Sequence, residues 1–202
     1  MSEGAPTRSR LIALLQEQHA MQEGYVFLDE KCLILAGAML RELERHDALR
    51  AAFDATHAAA VEALRDAIAR HGLEGLSVYP GAGEGAVTVA QSQTSLIGIA
   101  LKRCELVVAT KLAGREAEFP SPEAEACREA FLSLASAAAA LAASVGNLVR
   151  LQHEYRRTAR RVASLHDVVL PELEREVKSI TGQLEELERD EALWVRRCRG
   201  EA

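Results

Sequence analysis

Arg156, Arg157, Arg160 and Arg161 are the densest set of chemistry-bearing side chains in the sequence. On a helix their i, i+4 spacing gathers them into one basic stripe. Guanidinium groups so arrayed suit bidentate contact with the carboxylates of a partner. The plainer reading is a solvated helix face, where exposed charge is ordinary. A second basic group lies near the chain ends, with Arg8 and Arg10 at the front and Arg196, Arg197 and Arg199 at the back. Cations near a helix C-terminus complement its dipole, which accounts for the last three but not the first two. If the two ends meet, they form a basic tip on a chain whose formal net charge is −6.

Catalytic arrangements are harder to find. Gly81-Ala82-Gly83-Glu84-Gly85 is glycine-rich, but no Gly-Lys-Ser/Thr follows, so it reads as a turn and not as a phosphate-binding loop. Asp54-x-x-His57 has carboxylate–histidine spacing on a helix, yet a di-metal bundle needs that motif twice, with further glutamates. His153 and His166 stand apart from any nucleophile, and the glutamates from Glu172 to Glu191 read as a solvated coiled-coil face. Cys32, Cys104, Cys127 and Cys198 are scattered without a C-x-x-C pair, which predicts reduced thiols in a cytosolic protein. No catalytic, cofactor-binding or metal-ligating residue is expected. The acidic balance, with a pI near 5.6, argues against a general nucleic-acid binder.

The elements that carry these residues follow from periodicity. Of the 202 residues 49% are hydrophobic but only 4% aromatic, the vocabulary of long helices packed through Ala and Leu. Leu11, Leu14, Gln18, Met21, Tyr25, Leu28, Cys32, Leu35 and Met39 alternate three and four apart, a coiled-coil seam. It continues less cleanly through Leu43, His46, Phe53, Leu64 and Ile68 to a stop at His71-Gly72. A second seam runs Leu148, Leu151, Tyr155, Thr158, Val162, Leu165, Val169, then Val177, Ile180, Leu184, Leu187, Glu191 and Trp194. Between Val162 and Val177 the steps make a 15-residue repeat that relaxes the left-handed supercoil, and Pro171 within it removes a backbone donor, so a bend or straightened stretch is expected there. Ser121 is placed to cap the second helix and Pro122 to begin it.

The expected fold is mainly α: an antiparallel two-helix coiled coil of residues 7–71 and 122–198, its chain ends at one tip. A turn-rich middle, 72–119, carries the β-prone runs Leu76–Tyr79, Val87–Ala90 and Leu96–Leu101, and a β-hairpin is expected there. The core is expected at Leu11, Leu14, Met21, Leu28, Leu35, Leu151, Tyr155, Val162, Leu165, Val169, Ile180, Leu184 and Leu187. Residues 131–149 carry no charge, but their Ala and Ser content fits a small-residue packing face better than a membrane span. The polar first ten residues hold no apolar signal-peptide core.

At the second long segment the chain resembles a known family. Glu154-Tyr155-Arg156-Arg157-Thr158-Ala159-Arg160-Arg161-Val162, then Leu165, Val168-Val169-Leu170-Pro171 and Leu173, is similar to the C-terminal signature of the D subunit of V/A-type ATPases. Leu184 to Arg189 and Arg196-Arg197 resemble that family's ending. Pro6-Thr7-Arg8 with Leu11 and Leu14-Leu15 resembles its opening, followed by Gly24, Leu28, Lys31 and Leu35. Ser95-Leu96-Ile97-Gly98-Ile99 resembles a run of its middle element. Departures stand at Cys32-Leu33 for the usual Arg-Asp, Ala163 for Asn and His166 for Glu.

The resemblance implies a non-catalytic central-stalk rotor, cytoplasmic and peripheral to the membrane, that passes torque between the A/B catalytic hexamer and the ion-translocating ring. The implied partners are the hexamer, the F subunit and the subunit linking stalk to ring. Arg8, Arg10, Lys31, Arg156, Arg157, Arg160, Arg161, Arg196 and Arg197 are the candidate contacts. Heptads alone would equally suit a generic coiled-coil adaptor or a stalk protein of a secretion-type ATPase.

Overall fold

A computed structural model describes residues 7–79, 87–108 and 121–200. The protein is mostly helical, with a long N-terminal helix, a long C-terminal helical run and a two-stranded antiparallel sheet between them. Helix α1 covers Arg8–Ser77, strands β1 and β2 cover Val87–Leu96 and Ile99–Val108, and α2 covers Pro122–Ser164. A π-helical turn, Leu165–Val169, leads into α3, Leu170–Gly200.

The chain divides into two compact units, and each pairs an early segment with a late one. In the first unit, residues 1–34 with 155–202, the core is Leu14, Leu173 and Ile180, flanked by Leu11, Met21, Val169, Val177 and Leu184. Arg8 meets Glu188, while Tyr25 lies 5.7 Å from His166 between ring centroids, so the helices there run antiparallel. Met21, Leu28, Tyr155, Val162, Leu165 and Val169 are half-buried along this seam. Leu187 is 47% exposed and Trp194 67%, so both leave the seam expected for them. The reason is geometric. Glu188 already faces Arg8, and among the described residues α1 has nothing beyond Arg8 to cover the later turns.

The π turn occupies the 15-residue window. Leu170 N–H reaches back to the carbonyl of Leu165, five residues earlier instead of four. Fifteen residues in four turns average about 3.75 per turn, against about 3.6 for an α-helix, and one wide turn supplies the difference. It also falls just before Pro171, whose ring would crowd the carbonyl of Asp167 in an unbroken α-helix.

The second unit, residues 35–154, contains the rest of α1, the hairpin and most of α2. Its buried positions on α1 are Leu35, Ala38, Ala60 and Ala67, and on α2 Ala124, Ala143, Ser144, Asn147 and Leu151. Leu43 (47% exposed) and Ile68 (36%) lie outside the packed face, contrary to the apolar spacing. Glu42, His46, Leu49 and Phe53 are half-buried and lead to Ala60 instead. An Ala is fully covered only where the neighbouring chain comes close, so small side chains carry this seam where large ones were expected.

Leu76–Tyr79, read as β-prone, holds the last helical residues and a turn. Gly72 breaks the helical geometry at positive φ (66°) with an extended ψ (171°), a combination that glycine alone adopts readily, but one more helical turn forms after it. Leu73 to Ser77 includes Glu74, and Ser77 Oγ donates to the Glu74 carbonyl at 2.7 Å, closing that turn.

The hairpin pairs Val87 with Val108 through Leu96 with Ile99. Its two-residue turn splits the apolar run Leu96–Leu101 at Ile97-Gly98, both at positive φ (46° and 81°). Positive φ at both central positions is the hairpin-favouring primed-turn geometry, which Asn-Gly normally supplies. A β-branched residue in that region is strained. Ile97→Asn is therefore expected to stabilise the hairpin by about 1 kcal/mol. Slower amide exchange through β1 and β2, with helix melting unchanged, is the measurement.

Asn147 fixes the hairpin to α2. It is 2% exposed, and its Oδ1 accepts from Lys102 N–H at 2.8 Å and from Arg150 Nη1 at 2.9 Å. Its Nδ2 donates to the Lys102 carbonyl at 2.8 Å and to Glu42 Oε1 at 3.4 Å. One amide thus uses its full bonding capacity to join α1, β2 and α2. Ser144 Oγ, one turn earlier, is buried without a partner.

One helical run, Pro122–Arg199, contains a stretch long and apolar enough to cross a membrane by length and composition. Within the uncharged residues 131–149, Ala143, Ser144 and Asn147 are buried, while Phe131, Val145 and Val149 are exposed.

Candidate partner-contact surfaces

Arg156, Arg157, Arg160 and Arg161 are all exposed, while Thr158 between them is buried at 2%. The helix therefore turns its seam inward at Thr158 and Val162 and carries the four guanidiniums beside it. Arg160 Nε donates to the Arg156 carbonyl at 3.3 Å, which lays that side chain along the helix. The arrangement can offer several cationic donors to a carboxylate-bearing surface without a deep apolar grip.

At the chain ends the structure brings together less positive charge than the sequence predicts. Arg8 Nη2 donates to Glu188 Oε1 at 2.5 Å, with the two side chains 79% and 58% exposed. Its hydrogen bond and charge, with Glu191 adding to them, raise the Arg8 guanidinium above its ordinary value. A pair this exposed adds little stability, because water and salt screen it. Its consequence is local neutralisation: the cations that remain most open are Arg196, Arg197 and Arg199 on the exposed last turns of α3. Arg10 and Lys31 are half-buried.

Some large apolar side chains are exposed as well, among them Trp194, which the spacing assigns to the seam. In the first unit these are chiefly Phe27 (62% exposed), Leu33 (69%) and Trp194. Leu33 follows Cys32, whose thiol is pushed up, first by burial and then by Asp29. The four cysteines are free thiols.

The second unit holds a polar cluster that sequence spacing could not reveal. His71 Nε2 lies 2.5 Å from Ser121 Oγ, and Ser121 N–H donates to the Tyr79 hydroxyl at 2.6 Å. Ser121 Oγ donates to Glu123 Oε2 at 3.1 Å and accepts from Ala124 N–H at 3.4 Å, the helix cap its position suggested. Arg70 approaches Glu123 at 4.0 Å, and the Arg128 guanidinium sits 5.8 Å over the Tyr79 ring.

Serine, histidine and glutamate in contact invite a nucleophile reading, but the acid bonds the serine and not the imidazole, and the hydroxyl is committed to capping. The cluster is a latch between the end of α1 and the start of α2. Ser121→Ala should cost about 1–2 kcal/mol in thermal melting. Glu123's own backbone N–H, then the Ser121 hydroxyl, hold its carboxyl below the ordinary value. That contribution is present above the ordinary carboxylate pKa and is lost as pH falls through the lowered one.

Asp54 and His57 do not form a ligand pair. Asp54 accepts from Arg50 Nε at 3.3 Å, and His57 stacks on Phe53 at 6.2 Å. Among the described residues no three His, Cys, Asp or Glu side chains converge as metal ligands. The glycine-rich run 81–85 lies outside the described residues.

A family model described as the D subunit of ATP synthase matches residues 10–199. The chain is 27% identical over 203 residues to the V-type ATP synthase D subunit of Thermotoga neapolitana, covering 96% of each. It is 30% identical over 205 residues to the protein of the same description from Anaeromyxobacter dehalogenans strain 2CP-1, covering 98% of this chain and 97% of that one. The counterpart from strain 2CP-C is 28% identical over 204 residues, with the same coverage.

Proposed function

The chain belongs to the family of ATP synthase D subunits, and from that premise we propose that it is the central rotor shaft of a V/A-type ATPase. As a V-type D subunit it is part of an ATPase complex. In the proposed role it carries torque between the A/B catalytic hexamer and the membrane ion-translocating ring, and it performs no catalysis itself. It works on the cytoplasmic side, bound to the hexamer, to the F subunit and to the subunit that seats the stalk on the ring.

The observation that carries this reading is the family match over residues 10–199, the same span in which α1 pairs antiparallel with the C-terminal helical run in each unit. Paired helices resist twisting because each has closed its own backbone hydrogen bonds and buries a seam against the other. The exposed arginines, Arg156, Arg157, Arg160, Arg161, Arg196 and Arg197, suit contacts that register a turning surface electrostatically. Arg8, Arg10 and Lys31 are the further contacts proposed.

Tagging the chain and purifying it from its own cells tests this. Recovery of the A, B and F subunits with one copy of the chain per hexamer is expected. Recovery of unrelated partners alone would replace the rotor with a coiled-coil adaptor that shares the architecture.

A further inference from the structure

A two-stranded sheet has two outer edges, and here they differ. The edge of β2 is occupied where Asn147 bonds both the N–H and the carbonyl of Lys102. The register identifies the backbone groups on the other edge. Leu96 and Ile99 flank a two-residue turn and so form a hydrogen-bonded pair. Alternate pairs then point their N–H and carbonyl groups outward. Lys102, opposite Gln93, falls in an outward-pointing pair, in agreement with its bonds to Asn147. On β1 the outward set is Val87, Val89, Gln91, Gln93 and Ser95.

β1 lacks the features that normally guard such an edge. Residues 88–95 are all exposed, and the ten residues of β1 include no charged residue, proline or glycine. Natural edge strands carry Lys, Pro or bulges against unwanted pairing. β2, by contrast, carries Lys102, Arg103 and Glu105.

The outward set is symmetric about Gln91. An antiparallel copy centred there sets Gln91 against its own counterpart, Val89 against Gln93 and Val87 against Ser95, so every outward residue enters a hydrogen-bonded pair. Between them Ala90 faces Ser92, and Thr88 faces Thr94, all small. The charges also agree. Glu105 pairs with Ala90 and Arg103 with Ser92 in the hairpin. The two-fold arrangement therefore puts Glu105 of one copy and Arg103 of the other in the same row across the four-stranded sheet, with no like charges opposed.

We infer that the edge of β1, which no described residue covers, binds β1 of a second copy of this chain in antiparallel register about Gln91. This goes beyond the rotor reading and does not rest on it, because it concerns the chain outside any complex. Sedimentation equilibrium of the purified full-length chain should show its mass rise with concentration from 21.9 kDa toward twice that value. Gln91→Lys sets like charges opposite each other and should weaken association about fivefold. An equal mixture of Gln91→Lys and Gln91→Glu should restore it, because opposite charges then meet at the axis. Amide exchange at Ala90, Ser92 and Thr94, which bond within the hairpin, should stay slow in every variant. A monomer at all concentrations would overturn the inference, as would a dimer indifferent to Gln91→Lys or a mixture that fails to restore association. Protection of the Val89, Gln91 and Gln93 amides in dilute monomer would overturn it too, by showing that the chain covers its own edge.

Discussion

Leu35→Asp is expected to lower the melting temperature by about 10 °C, the loss of about 4 kcal/mol. Leu35 is 0% exposed and among the largest fully buried side chains of the protein. An aspartate there loses the apolar contacts and puts a carboxylate where water cannot reach it. Leu35→Ala separates the two effects, since it leaves a cavity without a charge and should cost about 3 kcal/mol. Leu33→Asp is the control two residues away. Leu33 is 69% exposed, and a carboxylate there should change stability by no more than about 0.5 kcal/mol.

The pH dependence distinguishes charge burial from poor packing. Burial raises the pKa of the introduced carboxyl in the folded state above its unfolded value. Such an acid destabilises most when pH is above the raised folded value. Leu35→Asp should therefore regain stability relative to wild type as pH falls through that value toward the ordinary carboxylate range. Leu35→Ala should show no such recovery. Circular dichroism melting of the three variants at neutral and mildly acid pH measures both, and equal melting of Leu35→Asp and wild type would remove Leu35 from the core.

The seam around Leu14, Leu35 and Leu151 is legible in the sequence because long aliphatic residues recur three and four apart on a face that has a partner helix. The same rule misplaces Leu43 and Ile68. It weighs size and hydrophobicity, whereas the packed face there runs through Glu42, Ala60 and Ala67. Leu187 and Trp194 keep the heptad spacing at and past the turn that faces Arg8, where the described helix begins, and spacing alone carries no information about how far a partner extends. Pro171 and the 15-residue repeat do mark the π turn, since both are backbone effects written into consecutive residues. The hairpin turn is harder to place, because Ile97-Gly98 lies inside an apolar run and only Gly98 resembles a turn residue.

The polar contacts divide in the same way. Ser121 as a helix cap is a local matter, and its position next to Pro122 is sufficient to suggest it. That His71 reaches it from fifty residues away is a product of the folded chain. The basic stripe at Arg156–Arg161 is likewise local and stands where its spacing puts it, exposed beside the seam. The basic tip depends on what faces Arg8, and the acidic neighbour Glu188 is visible in the sequence only as one of many solvated glutamates.

Asn147 is the residue whose importance the sequence conceals most, as a lone amide in an Ala-rich stretch, and its removal should have the second largest effect. Asn147→Ala strands the Lys102 N–H and carbonyl in a partly buried site, and leaves Glu42 with Arg45 at 4.0 Å. Leaving such groups unpaired should cost about 3 kcal/mol. The loss should be regional, because the helices keep their seams while β2 loses its attachment to α2. Amide exchange at Lys102 should accelerate about a hundredfold, the rate equivalent of roughly 3 kcal/mol, with exchange in α3 unchanged.

Asn147→Asp refines the test. Its carboxylate still accepts from Lys102 N–H and Arg150, but it cannot donate to the Lys102 carbonyl, and it faces Glu42. Repulsion there raises the folded-state pKa of the new carboxyl, so the variant should be impaired at neutral pH and recover as the carboxyl takes up a proton and can donate again. An Asn147→Ala protein whose Lys102 amide exchanges at the wild-type rate would show that β2 is held by apolar packing alone, and that the amide is a consequence of that packing and not its cause.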